Sequence, residues 1–447
     1  MRKRVICLCL NMMIWLTACG GQFTAQMQEN IDNTPELITK TSAMTVLSEE
    51  LSPTIPESTV KVLVNRKGYQ PDRSKKVLFI GENGGNTFYV VNKDTWEVVY
   101  TGEIEEAVLD GESELYVCQG DFSQVTESGT YFIETENIGR SYDFCIADDV
   151  NKSIFQDLLC IKDKVAYQES AQEIVNTSFG IHTLLLAIQC HGASFEKEKD
   201  NDLVTQLLQI AEWLENCQDS KTGSLYEDYA ATAAFCGIMA MCADNFGKYD
   251  AVISKEYMAA ALKAWKWMER CDTETLQKYE NARFYAAAQL FAIEGGFTYQ
   301  KIVTEYLEKN IQQVSNDMFS FLGAIIYLDT EKNTDRNLCT AVMQGLVNET
   351  EKICAKEKAS PCLVYTEDLS KNLPKVLLIC FVDYVTPSDE YAVIMENQLH
   401  YIMGRNETGS IYLDENGEWV PCDKTTDWNF MWNSILLFCL SDLLDEE

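Results

Sequence analysis

Thr425-Thr426-Asp427-Trp428-Asn429-Phe430-Met431-Trp432-Asn433-Ser434-Ile435-Leu436-Leu437-Phe438 closes a long run of helical periodicity. One acidic residue stands ahead of an apolar stretch free of proline and glycine, the pattern of a buried helix with a polar start. Upstream, apolar residues recur at helical spacing in about twelve segments. These lie near 152–169, 172–191, 199–217, 228–246, 254–271, 279–295, 298–313, 317–329, 334–356, 369–385, 388–403 and 425–444. Short connections between paired helices suit an α/α toroid, but a bundle or solenoid shows the same period.

Ahead of residue 150 the pattern is different. Segments 60–64, 76–80, 87–91, 97–100, 114–117 and 130–133 are short β-rich runs broken by Gly, Asn and Pro, at the spacing of a sandwich. Residues 20–58 are polar, carry Pro35, Pro53 and Pro56, and show no period, which reads as a flexible spacer. The chain opens with basic Met1-Arg2-Lys3-Arg4 and a short apolar run over 5–16, too short to span a bilayer. Leu16-Thr17-Ala18-Cys19-Gly20 then resembles a bacterial lipobox, which implies cleavage before Cys19 and lipid attachment to its sulfur. The expected layout is a signal peptide over 1–19, a linker over 20–58, a β-sandwich over 59–149 and a helical domain over 150–447. The expected location is outside the cytoplasm, lipid-anchored at the cell membrane.

Composition narrows the functions. A net charge of −33 over 447 residues excludes a nucleic-acid partner, which needs clustered Lys and Arg. An apolar fraction of 46% is ample for true cores. Of the 17 cysteines, many sit inside apolar helical runs, as in Phe235-Cys236-Gly237-Ile238-Met239-Ala240-Met241-Cys242. There they act as small buried hydrophobes, so mostly free thiols are expected over a disulfide framework. No C-x-x-C pair follows residue 19 and only His182, His191 and His400 are present, so neither a metal cage nor a cofactor is expected.

Several stretches resemble a known family. Val64-Asn65-Arg66-Lys67-Gly68-Tyr69-Gln70-Pro71, Gly120-Asp121-Phe122-Ser123, Ser128-Gly129-Thr130-Tyr131 and Ser141-Tyr142-Asp143-Phe144-Cys145-Ile146 resemble the cellulase N-terminal Ig-like domain. Thr232-Ala233-Ala234-Phe235, Ala264-Trp265-Lys266-Trp267, the segment 280–295 and Gln398-Leu399-His400-Tyr401-Ile402-Met403-Gly404-Arg405-Asn406 resemble the helical domain of family 9 glycoside hydrolases. The resemblance implies an Ig-like β-sandwich followed by an (α/α)6 toroid, acting on β-1,4-linked glucans or related oligosaccharides.

It also implies two carboxyls for inversion, about 6.5–9.5 Å apart, one protonated above the leaving oxygen and one ionised to activate water. In the family the last helix opens with the acid, six residues before a Trp/Tyr-Asn pair, and that position holds Asp427. The base comes from an Asp-Ala-Gly-Asp motif; ungapped register puts it on Ala166-Tyr167-Gln168-Glu169, so Glu169 is the expected base, with Glu173 one turn on as a substitute. Asp for Glu withdraws the acid by one methylene, and the His-x-Arg sugar clamp that follows Gly-Arg-Asn in the family has no counterpart between Glu407 and Lys424. Tyr226, Tyr229 and Trp419, at helix ends or in a loop, are the expected sugar-stacking residues. An inactive relative that binds glycan or serves as a surface scaffold is the competing expectation, because so many motif positions have changed. Oligomeric state is not legible.

Overall fold

The computed structural model describes residues 61–82, 85–197, 202–414, 416–424 and 429–445. Cys19 and Asp427 lie outside these described residues, as do the expected signal peptide and linker.

Among the described residues, nine strands form two antiparallel sheets. One orders β1 (Val62–Leu63), β2 (Lys76–Ile80), β6 (Tyr116–Asp121) and β5 (Val108–Leu109) side by side. The other orders β4 (Val98–Glu103), β3 (Thr87–Asn92), β7 (Gly129–Thr135) and β8 (Gly139–Arg140), with β9 (Phe144–Ile146) also on β7. Strand alternation turns Val77, Phe79, Phe88, Val90, Tyr131 and Ile133 into the space between the sheets. Leu78, together with Leu63 and Val117, points the other way and joins the core of the helical domain. That double burial is why 77–80 reads as an unbroken apolar run.

The sandwich is sealed to the helices by the motifs that carry the resemblance. Asn65 Nδ2 lies 2.8 Å from His400 Nδ1, and the Tyr69 and His400 rings are 4.7 Å apart. The Arg66 backbone N–H donates to the Met403 carbonyl at 2.9 Å. Gln119 Nε2 donates to the Pro361 carbonyl at 3.0 Å.

The helices follow in chain order. They are α1 (Val150–Leu158), α2 (Ala171–Cys190), α3 (Gly192–Glu196), α4 (Leu203–Asn216), α5 (Tyr229–Phe246), α6 (Ala251–Met268) and α7 (Thr273–Lys278). Then come α8 (Glu280–Glu294), α9 (Phe297–Asn310), α10 (Met318–Asp329), α11 (Arg336–Ala359), α12 (Leu369–Val385), α13 (Asp389–Ile402) and α14 (Phe430–Asp445). An inner ring of α2, α5, α8, α10, α12 and α14 closes where α14 packs on α2, and α1, α4, α6, α9, α11 and α13 surround it. The division is written in the sequence: α14 is buried along almost its whole surface, whereas α9 buries only Val303, Tyr306 and Leu307. Neighbouring inner helices approach closely through glycines that receive aromatic rings. A Cβ on Gly237 would stand 2.3 Å from the Tyr285 ring, and one on Gly180 would stand 2.4 Å from Phe430. At the centre, Tyr285 Oη and His182 Nδ1 share a hydrogen bond of 2.9 Å, and burial holds the imidazole neutral, down to about 3.

Two expectations need correction. The helix expected over 152–169 stops at Leu158, followed by a 3₁₀ turn (Ile161–Lys164) and irregular residues 165–168, with Val165 extended and Tyr167 left-handed. Leu159, Ile161 and Val165 all enter the core, at a spacing that no single helix face provides. The Gln206 side chain satisfies the broken stretch, accepting from Lys162 N–H at 3.1 Å and donating to the Leu159 carbonyl at 3.4 Å. Glu169 therefore precedes α2 and shares no helical face with Glu173. The last helix begins at Phe430, and its capping oxygen is Asn429 Oδ1, 3.4 Å from Trp432 N.

Cys236, Cys242, Cys354, Cys362, Cys380 and Cys439 are buried free thiols. Burial pushes the first five of these well above the ordinary thiol range. Among the described residues no helix is long and apolar enough to cross a membrane.

Candidate active site at the toroid mouth

Because outer and inner helices alternate, the loops that feed the inner helices gather at one end of the ring. These loops are 159–170, 217–228, 311–317, 360–368 and the segment after residue 403. Much of their polar chemistry is spent on helix starts. Ser170 accepts from Glu173 N–H (3.2 Å), Asp228 from Ala231 N–H (2.8 Å), Asp317 from Ser320 N–H (3.1 Å) and Asp368 from Ser370 N–H (3.1 Å). Glu173 is occupied as well. Its Oε1 accepts from Ala166 N–H and Thr177 Oγ1, both at 3.2 Å, and burial raises its pKa. Through Oε1 it anchors the stretch ahead of α2.

Glu169 is different: it is exposed, one residue ahead of the Ser170 cap. Its neighbourhood is built by loop 217–228. Asp219 Oδ1 accepts from the backbone of Lys221 (2.9 Å) and Thr222 (2.6 Å), which folds the first half of the loop. The second half is a tight turn in which Asp228 N–H donates to the Leu225 carbonyl at 2.9 Å. Its two central residues, Tyr226 and Glu227, have φ of 52° and 54°. Both left-handed is the geometry of a type I′ turn, which Asn-Gly adopts without strain; each substituted residue here costs about 1–2 kcal/mol. The turn leaves Tyr226 43% exposed. Burial of its hydroxyl, then the Cys217 thiol and the Glu169 carboxylate, push it up to about 12.

A second strained aromatic stands alongside. Tyr167 has φ of 53°, is 40% exposed, and meets the edge of Trp213 with centroids 5.4 Å apart. Sequence reading did not select Tyr167, because nothing local distinguishes it from a core tyrosine. The exposed candidates at the mouth are thus Glu169, Tyr226 and Tyr167.

The other two expected stacking residues are turned inward. Tyr229 is 3% exposed, its ring stacked on Tyr279 at 5.3 Å. Trp419 is 8% exposed, bridged to Leu413 and packed edge-on against Trp432 at 5.5 Å. Neither presents a ring face to a ligand. Each completes an aromatic core contact that only tertiary packing defines.

Where the mouth meets the sandwich, a second group of carboxyls gathers. Ligand atoms of Asp110, Cys362 and Glu367 lie within 4.8 Å of one another, close enough in principle to hold a cation. Their existing bonds already explain them. Asp110 Oδ2 accepts from Glu112 N–H, Ser113 N–H and Ser113 Oγ, and those bonds hold it below the usual carboxylate range although burial opposes them. Burial, followed by the neighbouring Glu407, pushes Glu367 up to about 7. Lys424 bonds Glu367, Glu407 and the Tyr401 hydroxyl, which ties loop 360–368 to the segment leading into α14. Glu112 Oε2 accepts from Glu367 N–H (2.7 Å) and Thr366 Oγ1 (2.9 Å), so the sandwich grips the same loop.

Comparison with known proteins agrees with this architecture. Residues 57–140 match the cellulase N-terminal ig-like domain, and residues 211–423 match glycosyl hydrolase family 9. Endoglucanase D of Acetivibrio thermocellus is 34% identical over 96 residues, a match that takes in 22% of this chain and 15% of that protein. Among solved structures, a metagenome-derived glycoside hydrolase family 9 endoglucanase superposes with a TM-score of 0.72 at 16% identity, over 86% of this chain and 98% of its own. AaCel9A in complex with cellobiose-like isofagomine gives 0.69 at 16% identity, over 86% of this chain and 100% of its own. The chain shares the fold of these glycoside hydrolase family 9 structures, an Ig-like N-terminal domain ahead of an (α/α)6 barrel, and its residues 211–423 match that family.

Proposed function

We propose that this chain takes β-1,4-linked glucans or related oligosaccharides at the toroid mouth and hydrolyses them slowly, with inversion. The observation that carries the reading is Glu169, exposed at the mouth beside Tyr226, at the entry to an inner ring of helices of the kind seen in the endoglucanase structures. In this scheme Glu169 removes a proton from the water that attacks the anomeric carbon. Asp427 donates a proton to the departing glycosidic oxygen. The expected separation of about 6.5–9.5 Å between them leaves room for that water.

The same residues set the limit on rate. Proton transfer needs ~2.6–3.2 Å between heavy atoms, and the shorter Asp427 must be reached by backbone adjustment or a shifted substrate. No His-x-Arg pair is present after residue 406 to clamp the sugar. Tyr226 and Tyr167 are left as the aromatic surface for a pyranose ring.

The test is release of reducing ends from soluble β-glucans, with the first product's anomer read by NMR. Wild type should release the α-anomer, and Asp427→Asn and Glu169→Gln should each lower the rate about a hundredfold or more. Equal rates in all three remove both residues from the chemistry. A second reading, a catalytically silent glycan-binding or scaffold protein, is favoured by the burial of Tyr229 and Trp419, which leaves the mouth fewer ring faces to hold a sugar in place for cleavage. Calorimetric binding without turnover would establish it. Lipid attachment at Cys19, holding the protein outside the cell membrane, completes the proposal. Mass spectrometry of the mature N-terminus checks it.

A further inference from the structure

The outer face of the second sheet carries an aromatic that neither the core nor the mouth explains. Trp96 is 60% exposed, and its φ is 60°. A bulky residue in the left-handed region is an outlier, and such strain persists where the surroundings enforce it. Here they do. Asn92 Oδ1 accepts from Asp94 N–H (2.9 Å) and Thr95 N–H (3.1 Å), and the Asn92 carbonyl accepts from Trp96 N–H (2.8 Å). The hairpin between β3 and β4 is thereby closed with a tryptophan at the position a glycine would occupy without strain.

The register shows what the indole lies over. Val91 pairs with Phe132, and both point away from the sandwich interior, whose lining is made by Val90, Tyr131 and Ile133. The Arg140 guanidinium sits 3.4 Å over the Phe132 ring and 5.6 Å from Trp96, and Asp143 fixes it at 2.7 Å. The Trp96 ring meets the Phe132 ring edge-on at 5.6 Å. The indole is therefore held in place from beneath while most of its surface stays in solvent. A platform of this kind is pre-ordered, so little conformational freedom is lost when a flat apolar surface is laid on it.

We propose that Trp96 is the platform of an accessory binding surface for a neutral β-linked glucan chain, separate from the mouth. The choice of ligand rests on the β-glucan reading above and on three features of the surface. The C–H faces of β-linked pyranose rings are flat and apolar, matching an indole. Asp94 and Glu97 flank Trp96 in the hairpin and Glu134 pairs with Arg140 across the strands, while Lys93 and Arg140 are neutralised by Asp143, so no free cation is offered to acidic polysaccharides or anionic lipid headgroups in a chain of net charge −33. The described chain enters the sandwich at Lys61, whose carbonyl accepts from Ile80 N–H, at the end of the sandwich opposite the Trp96 hairpin. Trp96 thus lies at the end of the sandwich away from where the described chain enters it.

The experiment is retention in native affinity gels cast with soluble β-glucan, together with pull-down on insoluble β-glucan, using the full chain. Trp96→Gly removes the platform and relieves the backbone, so it should fold with an unchanged or higher Tm. Its apparent affinity should fall at least about tenfold. Trp96→Tyr should recover part of the retention, and turnover of short soluble oligosaccharides should stay at the wild-type level in both. Wild-type retention by folded Trp96→Gly overturns the inference, as does a Trp96 dependence seen only with anionic vesicles or only in self-association by ultracentrifugation. Turnover without Trp96-dependent retention sinks this surface and leaves the mouth reading standing; Trp96-dependent retention without turnover does the reverse.

Discussion

The seam between the domains and the mouth of the toroid have been treated differently by the same sequence. At the seam, the stretch 64–71 and the stretch 398–406 keep their family pattern, and the two touch each other through Asn65, Tyr69, Arg66, His400 and Met403. At the mouth, the stretch aligned by register with Asp-Ala-Gly-Asp reads Ala166-Tyr167-Gln168-Glu169, and no His or Arg lies between Glu407 and Lys424. The resemblance is legible where it holds the molecule together and thin where the chemistry would sit. The seam therefore speaks strongly for the architecture and weakly for the rate.

The contrast can be broken from the seam side first. Tyr69 is buried, its ring packed on Phe122, Phe144 and His400. Tyr69→Ala should cost about 3–5 kcal/mol in urea unfolding, as large-to-small core substitutions do. A cost near zero would mean that the domains are joined by something other than this seam. At the mouth, Glu169→Gln should leave the unfolding curve in place and reduce turnover about a hundredfold, equivalent to ~2.7 kcal/mol in the barrier. A stability loss instead would reclassify Glu169 as structural.

A smaller effect of opposite sign sharpens the comparison. Replacing Tyr226-Glu227 by Asn-Gly suits the left-handed turn and should stabilise the protein by about 1–2 kcal/mol while weakening oligosaccharide binding. Gain of stability with binding intact would show that the strained turn serves no ligand.

The smallest expected effect concerns Glu367, which belongs to both regions. Its folded pKa of about 7 exceeds the ordinary 4.5, so between these values the folded chain keeps a proton that the unfolded chain releases. Stability must then fall as pH rises through that window and level off above it. Glu367→Gln should flatten the slope between pH 5 and 8, by about 1 kcal/mol after allowing for partial solvent screening. Parallel pH profiles of wild type and variant would remove Glu367 as the cause.

What could be read from the sequence divides along the same line. Short β-rich runs before residue 150 and a period of 3.6 after it, joined to the motifs, were enough for a sandwich and a toroid, since burial leaves its mark along the whole length of each strand and helix. The mouth depends on single residues at turns. Tyr226 and Tyr229 are three positions apart at a helix start, yet one is exposed and the other stacked on Tyr279. A type I′ turn without glycine separates them, and no propensity rule places Tyr-Glu there. The break at Leu159 was equally hidden, because the bonds that replace the helix come from the Gln206 side chain, which is distant in sequence. Tyr167 went unnoticed for the same reason.

Cys236, Cys242, Cys354, Cys362, Cys380 and Cys439 are sheltered only while the chain is folded. Unfolded, each becomes an ordinary accessible thiol able to attack or be oxidised, and disulfides formed in that state have no native geometry to return to. In air, then, heat or denaturant should act as a one-way gate: the protein survives as long as it does not open, and its lifetime is set by how rarely it opens. Full recovery after unfolding should require a reductant, which makes the redox state of its surroundings part of what keeps this molecule native.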